Sequence, residues 1–334
     1  MIHKTISKVA FIGTGIMGSA IAGHILDAGY ALTVNTRTPG KARALVECGA
    51  SWAEDVAGAV AGADVVFTMV GYPEDVEDVY LSSEGVLACA EKGAWLIDLT
   101  TSSPELARDI HEAAEIEDLH AFDCPVTGGQ GGARAGTLTL IIGAAEEELP
   151  EELLELLSCF SAKRCFFGRA GAGQSAKLCN QVSLASCMVG YADALALAEQ
   201  AGLDAGAVLE LMGSGTGGSG ASAVLGPKSV AGDYAPGFLA EHLRKDIGLA
   251  LAHSEELGLS MPGAETAYAL FDLLCQIGGA RLGTQAITLL YADEAEGAAA
   301  GLDWSRAEQS DGCDDGGCPC DHDHDGDGCC GHRC

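Results

Sequence analysis

The chain has 334 residues, too many for one ordinary domain and suited to two. Apolar residues make up 48% and charged ones 20%, a globular composition that excludes disorder for the bulk. The formal net charge of −30 argues against a nucleic-acid backbone or an anionic membrane surface as partner.

Short apolar, partly β-branched runs at 9–12, 31–34, 65–70, 95–99 and 138–142 read as strands buried on both faces. Between the first four lie segments long enough for crossover helices, such as 17–28, which predicts a parallel α/β sheet. The first run starts too early to leave room for a signal peptide. From 175 to 201 there is no proline and nearly every position is apolar or small, so a long, mostly buried helix is expected. Lys177, Asn180, Gln181 and Asp193 make it a poor membrane span. Helices are also expected at 205–212, 239–257 and 263–277, with 213–220 (GSGTGGSG) as a flexible connection. Beyond Gly301 the periodicity stops and Asp, Gly, Cys and His take over.

The 14 cysteines form two populations. Eight are scattered through 48–275 in apolar surroundings, as reduced cysteines of a cytoplasmic protein would be. Six crowd 313–334 together with His322, His324 and His332. Cys318, Cys320, His322 and His324 are candidate metal ligands there, although paired C-x-x-C knuckles are missing. The D-x-D-x-D-G run at 321–326 has His332 in place of the twelfth-position Glu and is not an EF-hand. An acidic solubilising extension is the alternative for this segment.

Gly13-Thr14-Gly15-Ile16-Met17-Gly18 follows the first strand and opens the first helix. In that setting the first glycine permits a tight turn, the second lets a pyrophosphate approach the backbone, and the third packs helix on strand. The helix N-terminus adds free N–H groups and a favourable dipole. About 20 residues on, where an acid would favour NAD, stand Arg37 and Thr38, which suit a 2′-phosphate and predict NADP over NAD.

Two further stretches, Asp123-Cys124-Pro125-Val126-Thr127-Gly128-Gly129 and Gly171-Ala172-Gly173-Gln174-Ser175-Ala176-Lys177, occur in that order after the glycine turn. With it they resemble the β-hydroxyacid dehydrogenase family, which includes 3-hydroxyisobutyrate dehydrogenase, tartronate semialdehyde reductase and, more distantly, 6-phosphogluconate dehydrogenase. The resemblance covers roughly 8–292. It implies a Rossmann-type doubly wound sheet (1–170) and an all-helical substrate and dimerisation domain (171–300) entered by a long interdomain helix; composition adds a disordered Cys/Asp-rich tail (301–334).

Lys177 is the expected general acid and base, its ammonium disfavoured by an apolar setting and by the positive helix end. Thr127, Gly128 and Gly129 would grip a substrate carboxylate, with Asn180 or Gln181 and Phe238 beside it. The resemblance places Met69, Val70, Gly71, Thr100, Thr101 and Lys245 around the cofactor. Gln181 stands where some relatives carry Asn, and the 213–220 loop lacks their bulky residue, which leaves the acid's identity open. The expected reaction is hydride transfer between a small 3-hydroxy acid and its semialdehyde in a homodimer or homotetramer. An imine reductase shares this fold but usually lacks the lysine; a catalytically silent cofactor-binding scaffold with a metal-binding tail is the other alternative.

Overall fold

Strand β1 (Lys8–Ile12) sends Val9 and Phe11 to one face and Ala10 and Ile12 to the other, all buried, as a strand covered on both sides requires. It is an inner strand of the main sheet in a computed structural model that describes residues 6–308. Along the chain follow α1 (Ile16–Asp27), β2 (Ala31–Asn35), α2 (Arg43–Glu47), β3 (Ser51–Trp52), α3 (Val56–Val60), β4 (Val65–Thr68), α4 (Pro73–Leu81), α5 (Val86–Cys89), β5 (Trp95–Asp98), α6 (Pro104–Ile116) and β6 (His120–Asp123). The six strands run parallel in the order β3-β2-β1-β4-β5-β6. This doubly wound order reverses between β1 and β4, so a crevice opens beyond the carboxyl ends of those strands.

A smaller sheet follows. In it β7 (Val126–Thr127) pairs antiparallel with β8 (Leu138–Ile142), and β8 pairs parallel with β9 (Ser161–Phe166). Helices α7 (Gly129–Ala135) and α8 (Glu151–Ser158) make the connections. The apolar run at 138–142 is therefore a strand, but of this second sheet. Strands β3 and β7 are two residues long, and β9 carries an exposed Lys163 next to a half-buried Arg164, so neither the length nor the pattern of these elements stands out in the sequence.

Beyond Gly168 the elements are helical: α9 (Ala172–Gln200), α10 (Ala205–Gly213), α11 (Gly220–Val230), α12 (Ala240–Glu256), α13 (Pro262–Gln276), α14 (Glu294–Ala299) and α15 (Ser305–Glu308). Met188, Tyr191 and Leu195 of α9 form a core with Leu243 and Ile247 of α12 and Phe271 and Leu274 of α13. By length and composition α9 could cross a membrane, yet it packs against α10 through α13 and carries the buried polar residues Gln174, Lys177 and Gln181.

Three expectations need correction. The glycine-rich run at 213–220 is shorter as a connection than its composition suggests: Gly213 ends α10, Gly220 starts α11, and Ser219 caps α11 through its side chain. Helix α11 has no sequence signature because it contains Pro227; it forms where Gly226 lets it close on Leu209, which a methyl group would meet at 2.7 Å. Residues just beyond Gly301 pack: Leu302 is buried, the Asp303 N–H donates to the Ile277 carbonyl at 2.8 Å, and Trp304 lies against the helical core. The candidate ligands Cys318, Cys320, His322 and His324 lie outside the described residues. Of the eight body cysteines, unpaired among the described residues, only Cys124 is buried, while Cys48 and Cys179 are exposed.

Candidate active site

The glycine turn caps the crevice. Gly13 adopts φ +97, and a methyl group on it would lie 2.2 Å from the Met69 carbonyl; one on Gly18 would lie 2.0 Å from the Gly13 carbonyl. Those two glycines are thus demanded by the protein's own backbone. Gly15 is different: nothing of the protein stands within 4 Å of where its side chain would be. That open ground at the N-terminus of α1, beside a buried Thr14 hydroxyl with no partner among the described residues, fits a pyrophosphate. The residues present therefore suit a dinucleotide.

At the end of β2, Asn35 is turned inward, its amide donating to the Ala53 carbonyl at 3.1 Å. Arg37 projects into solvent, its side chain 85% exposed, and bonds Asp75 of α4 at 2.7 Å. Thr38 is exposed beside it.

The loops after β4 and β5 are tied together and then to the helical region. The Val70 N–H donates to Thr100 Oγ1 at 3.0 Å. Asp98 below accepts from the Thr100 N–H and the Thr68 hydroxyl, and burial still pushes its carboxyl up to about 6. Gln174, fully buried in the first turn of α9, accepts the Ser102 N–H at 3.0 Å and donates to the Thr100 carbonyl at 2.8 Å. Lys245 of α12 donates to the Thr101 carbonyl at 2.5 Å and pairs with Asp246 at 3.1 Å. Expected beside the cofactor, Lys245 thus spends its ammonium on the loop that carries Thr100 and Thr101.

Helix α9 starts at Ala172, three residues before the expected position, because Asp123 at the end of β6 accepts the N–H groups of Gly171 (2.7 Å) and Gln174 (2.6 Å). Gly143 and Gly173 make room for that carboxylate; methyl groups on them would lie 2.0 and 2.7 Å from its oxygens. Lys177 consequently sits in the second turn and is 6% exposed. Its ammonium donates to Gln181 Oε1 at 3.0 Å. Gln181 Oε1 also accepts from Asn180 at 2.9 Å, and Gln181 Nε2 donates to Asp246 Oδ2 at 2.6 Å. Burial brings the Lys177 ammonium down to about 8; Asp246 opposes this shift and Lys245 assists it. The lowered value follows from the apolar setting expected of this lysine, with the Lys245 charge as an added cause.

Both ends of the Gln181 amide are thus occupied and the residue is buried, whereas Asn180 is exposed. Thr127 ends β7, and Gly128 and Gly129 follow with φ +126 and +61. A methyl group on Gly129 would come within 4.0 Å of the Gly237 carbonyl, so this loop faces the segment carrying Phe238. Phe238 is half-buried with its ring 6.2 Å from that of His242, which in turn meets Tyr72 edge-on at 6.3 Å. Burial, with help from Lys245, holds His242 below the usual imidazole range.

The structure gives positioning roles to Asp123 and Gln174, which the sequence showed only as members of the shared stretches, and adds Asp246. An acid on the buried face of α12 between Leu243 and Ile247 is the signal that would have marked Asp246. Among the described residues no cluster of three or more His, Cys, Asp or Glu is placed to hold a metal.

Residues 8–171 match the NAD binding domain of 6-phosphogluconate dehydrogenase, and residues 171–291 match the NAD-binding domain of NADP-dependent 3-hydroxyisobutyrate dehydrogenase. The chain is 42% identical over 283 residues to the uncharacterized oxidoreductase YkwC of Bacillus subtilis, covering 85% of this chain and 98% of that one. It is 37% identical over 277 residues to 3-hydroxyisobutyrate dehydrogenase of Pseudomonas aeruginosa, covering 81% and 93%. The solved structure of Mycobacterium tuberculosis 3-hydroxyisobutyrate dehydrogenase with L-serine superimposes with a TM-score of 0.78 at 30% identity, covering 86% of this chain and all of that one.

Proposed function

The chain belongs to the β-hydroxyacid dehydrogenase family and is an NAD(P)-dependent hydroxyacid oxidoreductase, and from that premise we propose that it interconverts a small 3-hydroxy acid and its semialdehyde, with Lys177 moving the proton. The observation that carries this reading is a buried lysine, with its ammonium brought to about 8, where α9 and α12 meet the loops after β4 and β5. A group with that value changes charge near neutral pH, as a general acid and base must.

When bound, the nicotinamide supplies or accepts the hydride. In reduction the Lys177 ammonium gives a proton to the carbonyl oxygen; in oxidation the neutral amine takes it from the hydroxyl. Gln181 holds the Lys177 Nζ from the side, and Asp246 holds Gln181. These two are positioning residues. We assign Asn180, the exposed amide, to the substrate, together with Thr127 and the N–H groups of Gly128 and Gly129 for its carboxylate and Phe238 for its carbon chain. Gly13 to Gly18, Met69 to Gly71, Thr100 and Thr101 are assigned to the cofactor, and Arg37 with Thr38 to a 2′-phosphate, which favours NADP.

L-serine in the mycobacterial relative is itself a carboxylic acid with a 3-hydroxyl, the substrate class we propose here. Exposed Leu197, Leu203, Leu211, Leu257 and Leu259 on the helical region support assembly into a homodimer or homotetramer. The unpaired body cysteines support a cytoplasmic setting.

The reading is tested by following NADPH oxidation with tartronate, methylmalonate and succinic semialdehydes and glyoxylate, and NADP reduction with 3-hydroxyisobutyrate and L-serine. Saturable turnover of tartronate or methylmalonate semialdehyde, 3-hydroxyisobutyrate or L-serine is expected; succinic semialdehyde and glyoxylate, which reduce to 4- and 2-hydroxy acids, report the selectivity for hydroxyl position. Turnover confined to ketones or imines without a carboxylate would overturn it.

A further inference from the structure

The carboxylate of Asp75 is fixed from two sides. Its Oδ2 accepts the Tyr72 N–H at 3.2 Å, closing the first turn of α4, and its Oδ1 receives Arg37 Nη1 at 2.7 Å. The two partners differ in freedom, since Arg37 is 85% exposed and Asp75 only 19%. Asp75 also stands against the loop after β4, where a methyl group on Gly71 would lie 3.1 Å from its Oδ2. Because β2 and β4 flank β1 in the sheet, the Arg37–Asp75 pair spans the two loops on either side of the glycine turn. The end of β2 itself carries Asn35, bonded inward, and no acid.

We infer that Asp75 is a specificity-determining residue for the cofactor: it supplies from α4 the carboxylate that β2 lacks, and thereby restrains the preference for NADP that Arg37 creates. The inference rests on the assignment of Arg37 to a 2′-phosphate. Two effects act in the same direction. One face of the guanidinium is spent on Asp75 and must be shared or released when a phosphate arrives. The phosphate, carrying close to two negative charges, also comes to rest near a fixed anion. Neither effect opposes NAD, whose ribose hydroxyls are uncharged and can donate to a carboxylate. Exposed charge pairs shift equilibria by up to about five-fold, and two such effects combine here, so a change of roughly three- to ten-fold is expected.

The test is the ratio of dissociation constants, Kd for NADH over Kd for NADPH, measured by fluorescence titration for the wild type, Asp75→Asn, Arg37→Ala and the double variant. Asparagine keeps an oxygen for the Tyr72 N–H, so α4 retains its cap. Asp75→Asn is expected to raise the ratio about three- to ten-fold through tighter NADPH binding, with the gain shrinking between ~0.05 M and ~0.5 M salt. In the Arg37→Ala background the same change should raise the ratio less. An unmoved or lowered ratio in Asp75→Asn, with Arg37→Ala still lowering it, overturns the role of Asp75 and leaves the cofactor reading standing. An unmoved ratio in Arg37→Ala removes the cofactor reading and this inference with it.

Discussion

The amide of Gln181 on α9 donates to the carboxylate of Asp246 on α12 at 2.6 Å, joining the two helices across a fully buried contact. An amide bonded at both ends has one orientation, so its oxygen is held toward Lys177. Asp246 also raises the Lys177 ammonium against the pull of burial.

Asp246→Asn is therefore expected to act on the lysine without touching substrate. Removing the negative charge should move the Lys177 ammonium below about 8, and the loosened Gln181 should cost about 10- to 100-fold in kcat. The pH profile of kcat/KM checks this: the basic limb of reduction should shift to lower pH. A limb that stays in place would assign Asp246 to packing alone.

The wild-type profile has a sign that follows from the same lysine. Reduction requires the ammonium, so its kcat/KM should fall as pH rises through about 8; oxidation requires the amine and should rise over the same interval. The effect on folding runs alongside. Because the folded-state value lies below the ordinary 10.5, the ionised lysine is a burden on the fold below about 8, relieved as pH climbs toward 10.5. Lys177→Met should flatten both dependences.

Gly15→Ala and Gly18→Ala should part company. The first places a methyl group in open space and is expected to leave the thermal midpoint nearly unchanged while weakening dinucleotide binding by about ten-fold or more. The second meets the Gly13 carbonyl at 2.0 Å and should lower stability by about 1–3 kcal/mol. Thermal melts with and without NADPH distinguish them.

Gln174→Ala strands the Ser102 N–H and the Thr100 carbonyl in a buried setting, at a cost of about 2–5 kcal/mol in urea unfolding. A loss under about 1 kcal/mol would mean that the bonds of Gln174 are readily replaced.

The parallel sheet, the glycine turn and the long helix were legible because each depends on local pattern: buried runs in β1, β4 and β5, three glycines at fixed spacing, and the apolar length of α9. What escaped depends on partners distant in sequence. Asp123 starts α9 from 48 residues away, and Asp246 reaches Gln181 from 65 residues away. Helix α11, with Pro227 in its interior, and the packing of Leu302 and Trp304 beyond Gly301 owe their form to the surfaces they meet rather than to their own periodicity. Sequence leaves the choice between Asn180 and Gln181 open because both lie one turn beyond Lys177; the proposed assignment of Asn180 to substrate draws on the burial of Gln181 and its bond to Asp246.

The most direct test of the account is Lys177→Ala, with turnover and NADPH binding measured on the same preparation. Nucleotide affinity should stay within a few-fold of wild type while kcat for the preferred semialdehyde falls by about 10²- to 10⁴-fold. Turnover retained near the wild-type level would contradict the assignment of the proton-transfer step to this residue.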